Sequence, residues 1–387
     1  MTEQITINEV PDEILTLKKG RPLAYGENRC QSPAFIYHGG SDNPLAISKF
    51  STVSGDPSYI AMADISQLVS ILCLMSECFR HWQGQVPYIA IVGKHGNPCG
   101  AAIDWEDPAV AIRKALHGDP VAAMGGELIT NYPIDLGLAN VVFYSNAQKI
   151  GRDKWGLDVI AAPNFSDDAI ELLGKREKRR LLTNPALVEA PFPKEEWTYR
   201  ELHGGDWLKQ RLSPFVFWSG EITHWTGRGE IVRWPEEIVD RTDKGDLGIS
   251  NLIIAFACCW RASSNTVALA KDNMLIGLGC GQQDRIACVR LCLDRANRAG
   301  HDAEGSVFAS DAFFPYARSE ENITEMTLLI DEAYNLNVAF LGASLSWQMK
   351  SLDKFLRYAS RHDRREGPEL LADAGCMGGV VPADGNK

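Results

Sequence analysis

Residues 86–92, VPYIAIV, constrain the fold more than any other stretch of this chain. The run is short, almost continuously apolar and bounded by Gly93, which reads as a strand buried on both faces. Such a strand needs helices above and below it, so it implies an α/β architecture. The flanking sequence supplies them. Ile65, Leu68, Val69, Leu72, Leu74 and Met75 predict a helix over 61–81. DPAVAIRKALHG predicts a second, with Asp107 as N-cap, Pro108 at the first helical position and Gly118 as its stop. Strands are predicted at 137–143 (GLANVVF) and 157–162 (LDVIAA), and a helix at 166–174.

The order then repeats. A helix is predicted over 250–261, followed by a hairpin of residues 266–270 and 274–278 around Lys271, Asp272 and Asn273. A helix begins near Gln282, with Ile286, Val289, Leu293 and Ala296 on one face. Residues 310–316 read as a loop, 320–335 as a helix and 338–341 as a strand. The first 20 residues read as a polar lead-in with one short strand through Ile5 and Ile7, and the Gly/Ala/Pro-rich last 22 as loop. Strands alternate with helices twice, so two α/β units are predicted, although self-similarity is too weak to read a repeat from the residues. Between them, residues 175–237 open on the charge run KREKRR, read as a solvated helix end. They also hold Trp197, Trp207, Trp218, Trp225 and Trp234. The predicted division is 1–184, a connecting or docking segment at 185–240, and 241–387, within the two to three domains that 387 residues allow.

The formal net charge of −11 argues against a nucleic-acid or membrane-surface binder, which presents a basic face. Any anionic substrate must meet a local cluster of cations. The ten cysteines show no C-x-x-C spacing and most sit in apolar runs, which predicts reduced thiols in a cytoplasmic protein. The N-terminal residues lack the apolar stretch of a signal peptide, and no run is read as long enough to span a bilayer.

Three segments carry candidate chemistry. The first is KHGNPCGAA, 94–102, read as a loop at the carboxyl end of the buried strand, where open α/β sheets place ligands. Neighbouring strand residues point to opposite faces, so Lys94 and His95 serve one site only if the backbone leaves strand geometry between them. Gly93, Gly96 and Gly100 offer that freedom. A neutral imidazole is a competent proton acceptor, an adjacent ammonium favours that neutral form, and the ammonium can stabilise a developing oxyanion. A Lys-His pair in a loop is also common on plain surfaces. The second segment runs from Asn265 to Arg285, NTVALAKDNMLIGLGCGQQDR. Its glycines admit a ligand to the backbone. Gly277-x-Gly279-x-x-Gln282 fails the dinucleotide fingerprint, and a tight strand-to-helix turn explains it equally well. Arg285 at a helix start is unfavourable unless it faces an anion. The third, SDAFFPY at 310–316, is either a hydrophobic plug or a wall for a flat heteroaromatic ligand.

Together these segments resemble the AICAR transformylase family, the formyltransferase half of a bifunctional purine-biosynthesis enzyme. K-H-x-N-P-C-G stands at 94–100, S-N-S/T-V-x-x-A-K…G-x-G-x-G-Q-x-x-R at 264–285 and S-D-A-F-F-P-F at 310–316, with Tyr316 last. D-P-x-A-x-x-G-G stands at 119–126, D-V-I-x-A-P at 158–163 and Y-G-x-N-x-x-Q at 25–31, all in the family's order. The resemblance implies two cytidine-deaminase-like three-layer α/β/α units with the Trp-rich segment connecting them. It implies a stand-alone form without the cyclohydrolase half, and a homodimer with active sites at the interface. The implied reaction moves a formyl group from 10-formyltetrahydrofolate to the 5-amino group of an aminoimidazole carboxamide ribonucleotide, with no metal. By matching position, His95 is the general base, Lys94 stabilises the oxyanion and Asn265 orients base and formyl group. Tyr25, Gly125, Asp158, Arg285 and Phe313 line the nucleotide pocket, and Met124, Ile286 and Pro315 flank the folate.

The chain departs from the family at Ala24 and at Ser344, where phosphate-binding arginines are usual, and at Arg318, where Asp is usual. Arg21, Arg29 and Arg261 are the nearest substitute cations. Three readings follow: this formyl transfer, the same chemistry on a different and non-phosphorylated amine, or a non-catalytic ligand-binding protein on the same scaffold. A zinc deaminase is excluded, because Pro98-Cys99 is followed by Gly100-Ala101-Ala102 and not by a second cysteine.

Overall fold

The computed structural model describes residues 17–28, 30–145, 151, 153–175, 179–193, 197–211, 223–225, 231–233, 249–303, 306–310 and 337–340. The expectations for Ile5 and Ile7, the helix at 320–335, Phe313, Pro315, Arg318 and the chain beyond 340 lie outside them, as does Arg29.

The 86–92 run forms β4 (Tyr88–Lys94) near the middle of a 12-stranded mixed sheet. Its side chains alternate between two cores. Ala90 and Val92 face one, with α2 (Pro108–His117), α4 (Leu136–Tyr144), α5 (Asp167–Gly174) and α7 (Arg285–Ala299). Ile89 and Ile91 face the other, with α1 (Tyr59–Gln83) and α6 (Ile249–Arg261). Both faces are covered, so both parities of the strand are apolar.

Two similar blocks meet at the centre of the sheet. In the first, α1 leads into the antiparallel pair β4 and β5 (Asn97–Asp104), then α2. In the second, α6 leads into β13 (Val267–Lys271) and β14 (Met274–Gly279), then α7. β5 and β14 join antiparallel, with Met274 opposite Ala102. On one side β4 continues to β6 (Glu127–Thr130), β7 (Val159–Ala162), β8 (Arg180–Thr183) and β3 (Ser51–Ser54). On the other, β13 continues to β15 (Val307–Ser310), β16 (Asn337–Phe340), β11 (Thr223–Trp225) and β12 (Ile231–Arg233). The repeat that the residues alone do not reveal is thus visible in the order of elements. It also recurs in detail: a Cβ on Gly100 would lie 1.9 Å from the Ala115 carbonyl oxygen of α2, and one on Gly279 would lie 1.9 Å from that of Cys288 in α7. Each helix rests directly on strand backbone. Outside this sheet, β1 (Lys18–Leu23) pairs with β2 (Ala34–His38), and β9 (Trp197–Glu201) with β10 (Trp207–Arg211). The short α3 (Pro120–Ala123) precedes β6.

Four expectations are corrected. Residues 137–143 are the helix α4 and not a strand: Asp135 caps it by accepting the Leu138 N–H at 2.8 Å, and Ala139, Val142 and Phe143 are buried at helical spacing. Residues 97–104 are a strand, so KHGNPCGAA is a hairpin and not a strand-to-helix loop. Arg179 of the KREKRR run is buried; its guanidinium donates to the carbonyls of Leu157, Leu173 and Trp155 and covers the Phe143 ring. Residues 59–81 are long and apolar enough to cross a membrane, contrary to the reading of the runs, but 67% of the apolar window is buried in this core.

Candidate active site

Lys94 and His95 sit at the tip of the β4–β5 hairpin. Lys94 pairs with Asn97, leaving His95 and Gly96 as a two-residue turn with φ of 53° and 74°. Two consecutive positive φ angles are what the tight hairpin turn matching strand twist requires. Gly96 suits this turn, whereas His95 is a side-chain-bearing residue in left-handed backbone and needs an external clamp. Asp64 of α1 provides it. Its Oδ2 accepts the His95 N–H at 3.0 Å and its Oδ1 accepts the Gly96 N–H at 2.7 Å. Gly93 and Gly100 do not loosen the turn as the sequence reading proposes. A Cβ on Gly93 would meet Leu68 at 2.5 Å, so both glycines serve close packing of helices on the sheet.

The clamp leaves the His95 side chain exposed and turns Lys94 inward, where its Nζ donates to the Met124 carbonyl at 2.8 Å. A Cβ on the next residue, Gly125, would lie 3.6 Å from that ammonium, and Gly125 has φ of 75°. The Asp158 N–H donates to the Gly126 carbonyl at 2.9 Å, placing Asp158 beside the same strand end.

The second motif reaches this hairpin through Asn97. Its Nδ2 donates to the His95 carbonyl at 3.1 Å, and its Oδ1 accepts the Ser263 N–H at 2.9 Å. Ser263 is two residues from Asn265, whose Nδ2 donates to the Gln282 carbonyl at 2.9 Å. One asparagine therefore ties the Lys94-His95 turn to the loop that carries Asn265 and, through Gln282, to the glycine turn before α7. Arg285 opens α7 after its cap Asp284, with Ile286 next. Tyr25 accepts the Tyr59 N–H through its carbonyl at 2.9 Å, at the start of α1. That is five residues before Asp64, or about 7.5 Å along the helix axis.

Two acidic residues at this site escaped the sequence reading. Asp64 and Glu127 are 4% and 5% exposed. Burial pushes the Glu127 carboxyl up to about 9, reinforced by the charges of Asp64 and Asp158 and opposed by Lys94. Burial raises Asp64 as well, against the opposing hydrogen bonds from Gly96 and His95. Their signal was legible: each is a lone acid inside an apolar stretch, AMADISQLV and GGELIT. Among the described residues, no three His, Cys, Asp or Glu side chains are grouped as a metal site needs.

A family model described as "AICARFT/IMPCHase bienzyme" matches residues 1–295. The bifunctional purine biosynthesis protein PurH of Sorangium cellulosum is 31% identical over 304 residues, 78% of this chain and 51% of that protein. PurH of Corynebacterium glutamicum is 30% identical over 331 residues, covering 84% and 55% respectively. PurH of Cutibacterium acnes is 31% identical over 316 residues, covering 81% and 52%. The chain thus spans about half the length of the curated relatives it matches. On its matched residues and its relatives, the chain belongs to the AICARFT/IMPCHase family.

Proposed function

We propose that this chain is a folate-dependent formyltransferase of purine biosynthesis. It moves the formyl group of 10-formyltetrahydrofolate to the 5-amino group of aminoimidazole carboxamide ribonucleotide, acting as a soluble cytoplasmic homodimer. The observation that carries the reading is the Asn97 bridge, which joins the Lys94-His95 turn to the Asn265 loop. The amine nitrogen attacks the formyl carbon, and a tetrahedral oxyanion forms beside the Lys94 ammonium. His95 accepts the amine proton. The bond from carbon to N10 then breaks, and the proton passes to N10 of the departing tetrahydrofolate. Asn265 holds amine and formyl group in line. Tyr25, Gly125, Asp158, Arg285 and Phe313 are assigned to the nucleotide, and Met124, Ile286 and Pro315 to the folate.

Arg21 is the substitute we assign to the phosphate, in place of the arginine missing at Ala24. Its guanidinium rests on two neutral groups, Thr52 Oγ1 at 2.8 Å and Met62 Sδ at 3.9 Å, and its buried Nε has no partner among the described residues. A dianionic phosphate is the counter-ion such a group lacks. The test is incubation with the ribonucleotide and 10-formyltetrahydrofolate, reading release of tetrahydrofolate. Turnover that drops sharply with the dephosphorylated nucleoside supports the assignment. No turnover by the wild-type chain overturns it.

A further inference from the structure

The clamp on His95 raises a problem of proton accounting. Asp64 spends both oxygens on amide N–H groups, at 3.0 and 2.7 Å, so it is the ionised acceptor of that turn. Glu127 lies directly across from Gly93 on β6, its carboxyl interacts with that of Asp64, and among the described residues its buried Oε2 meets no hydrogen-bond donor. Two ionised carboxylates offer only acceptors and cannot hydrogen-bond to each other. We infer that Asp64 and Glu127 share one proton, carried by Glu127, and that this acid pair is a positioning device for the His95 turn. The pair deepens the formyltransferase reading and rests on it only for its catalytic consequence.

The surroundings fit. The groups facing the pair are Asp158 just ahead of β7, Lys94 from β4, His95 from the turn and the neutral thiol of Cys99 from β5. A neutral Glu127 takes one negative charge away from the Lys94 ammonium it interacts with, leaving that ammonium less compensated and freer to meet an oxyanion. A Glu127 O–H would give Asp64 a third donor besides the two amides of the turn. Loss of that proton at alkaline pH would set like charges against each other under the base.

The pair is tested by carboxyl-labelled glutamate NMR on the full chain, with Glu127→Gln identifying the signal. A Glu127 carboxyl still protonated at pH 7.5, titrating far above ordinary glutamates, is the expected result; an ionised one overturns the inference. Kinetics test the positioning role. Glu127→Leu, which removes the donor, should lower kcat by about 10-fold or more with little change in KM. Glu127→Gln retains an N–H toward Asp64 and should restore kcat to within about 3-fold of wild type. A Glu127→Leu protein with wild-type kcat overturns that role. Absence of formyl transfer in the wild type would sink the proposed function, and the NMR titration would still decide the shared proton.

Discussion

Replacing Gly100 by alanine inserts a methyl group where the strand backbone touches helix α2. That Cβ would stand 1.9 Å from the Ala115 oxygen and 2.9 Å from its carbonyl carbon. Ordinary contact begins at 3.4 Å, so the helix must withdraw by 1.5 Å. The obstacle is backbone, which no rotamer change relieves. Withdrawal lifts Ala111, Ile112, Ala115 and Leu116, each 0% exposed, off the sheet. A gap of 0.5–1 Å already forfeits a quarter to a half of each dispersion contact. We place the cost at about 3 kcal/mol, the upper end for overpacking. In a chain of this size that lowers Tm by on the order of 5 °C. The assay is thermal and urea unfolding of the wild type, Gly100→Ala, the equivalent Gly279→Ala, and Gly39→Ala as a control. Gly39 has nothing within 4 Å of the added methyl group and should stay within about 0.5 kcal/mol of wild type. Both motif variants melting like the control would refute the contact, and with it the claim that K-H-x-N-P-C-G ends in glycine for packing.

Arg179→Met strips the buried carbonyls of Leu157, Leu173 and Trp155 of their donors; a loss of about 3 kcal/mol in urea unfolding is expected, and an unchanged midpoint would contradict it. The Glu127 carboxyl, raised in the fold from 4.5 to about 9, contributes stability that is fully present below pH 4.5 and lost as pH rises through 9. Between pH 5 and 8 its share of stability should fall by up to about 1.4 kcal/mol per pH unit, and Glu127→Gln should flatten that slope in a Tm series. Parallel slopes in the two proteins would exclude the shift. Asn97→Ala cuts the bridge to Ser263 and should lower kcat by about 10-fold while leaving the fold intact by circular dichroism; wild-type kcat would remove the bridge from the mechanism.

The elements that sequence reading placed well are those whose two ends are marked chemically. α2 carries an Asp cap, an N1 proline and a stop glycine, and the β13–β14 hairpin turns on Lys271, Asp272 and Asn273, of which the last two have positive φ. Reading α4 as a strand shows the opposite case. Its nine residues are nearly all apolar or small, so strand and helix periods fit alike, and the Asp135 cap decides. The charge run failed for a different reason. Whether an arginine is solvated or buried depends on which carbonyls the fold leaves open, and those that hold Arg179 come from two stretches, Trp155 and Leu157 ahead of β7 and Leu173 in α5. At the candidate site the motif residues Lys94, His95 and Asn265 were legible one by one. Their joining was not, since Asn97 reaches across 166 positions of chain to Ser263.

The most direct measurement is a crystal structure of the chain with the aminoimidazole carboxamide ribonucleotide and a non-transferring folate analogue. The 5-amino nitrogen should lie within hydrogen-bonding distance of the His95 ring and the Asn265 side chain, with the Lys94 ammonium at the position of the formyl oxygen. A ribonucleotide bound away from the β4–β5 turn, or seated there with its amine turned from His95, would contradict the proposed chemistry.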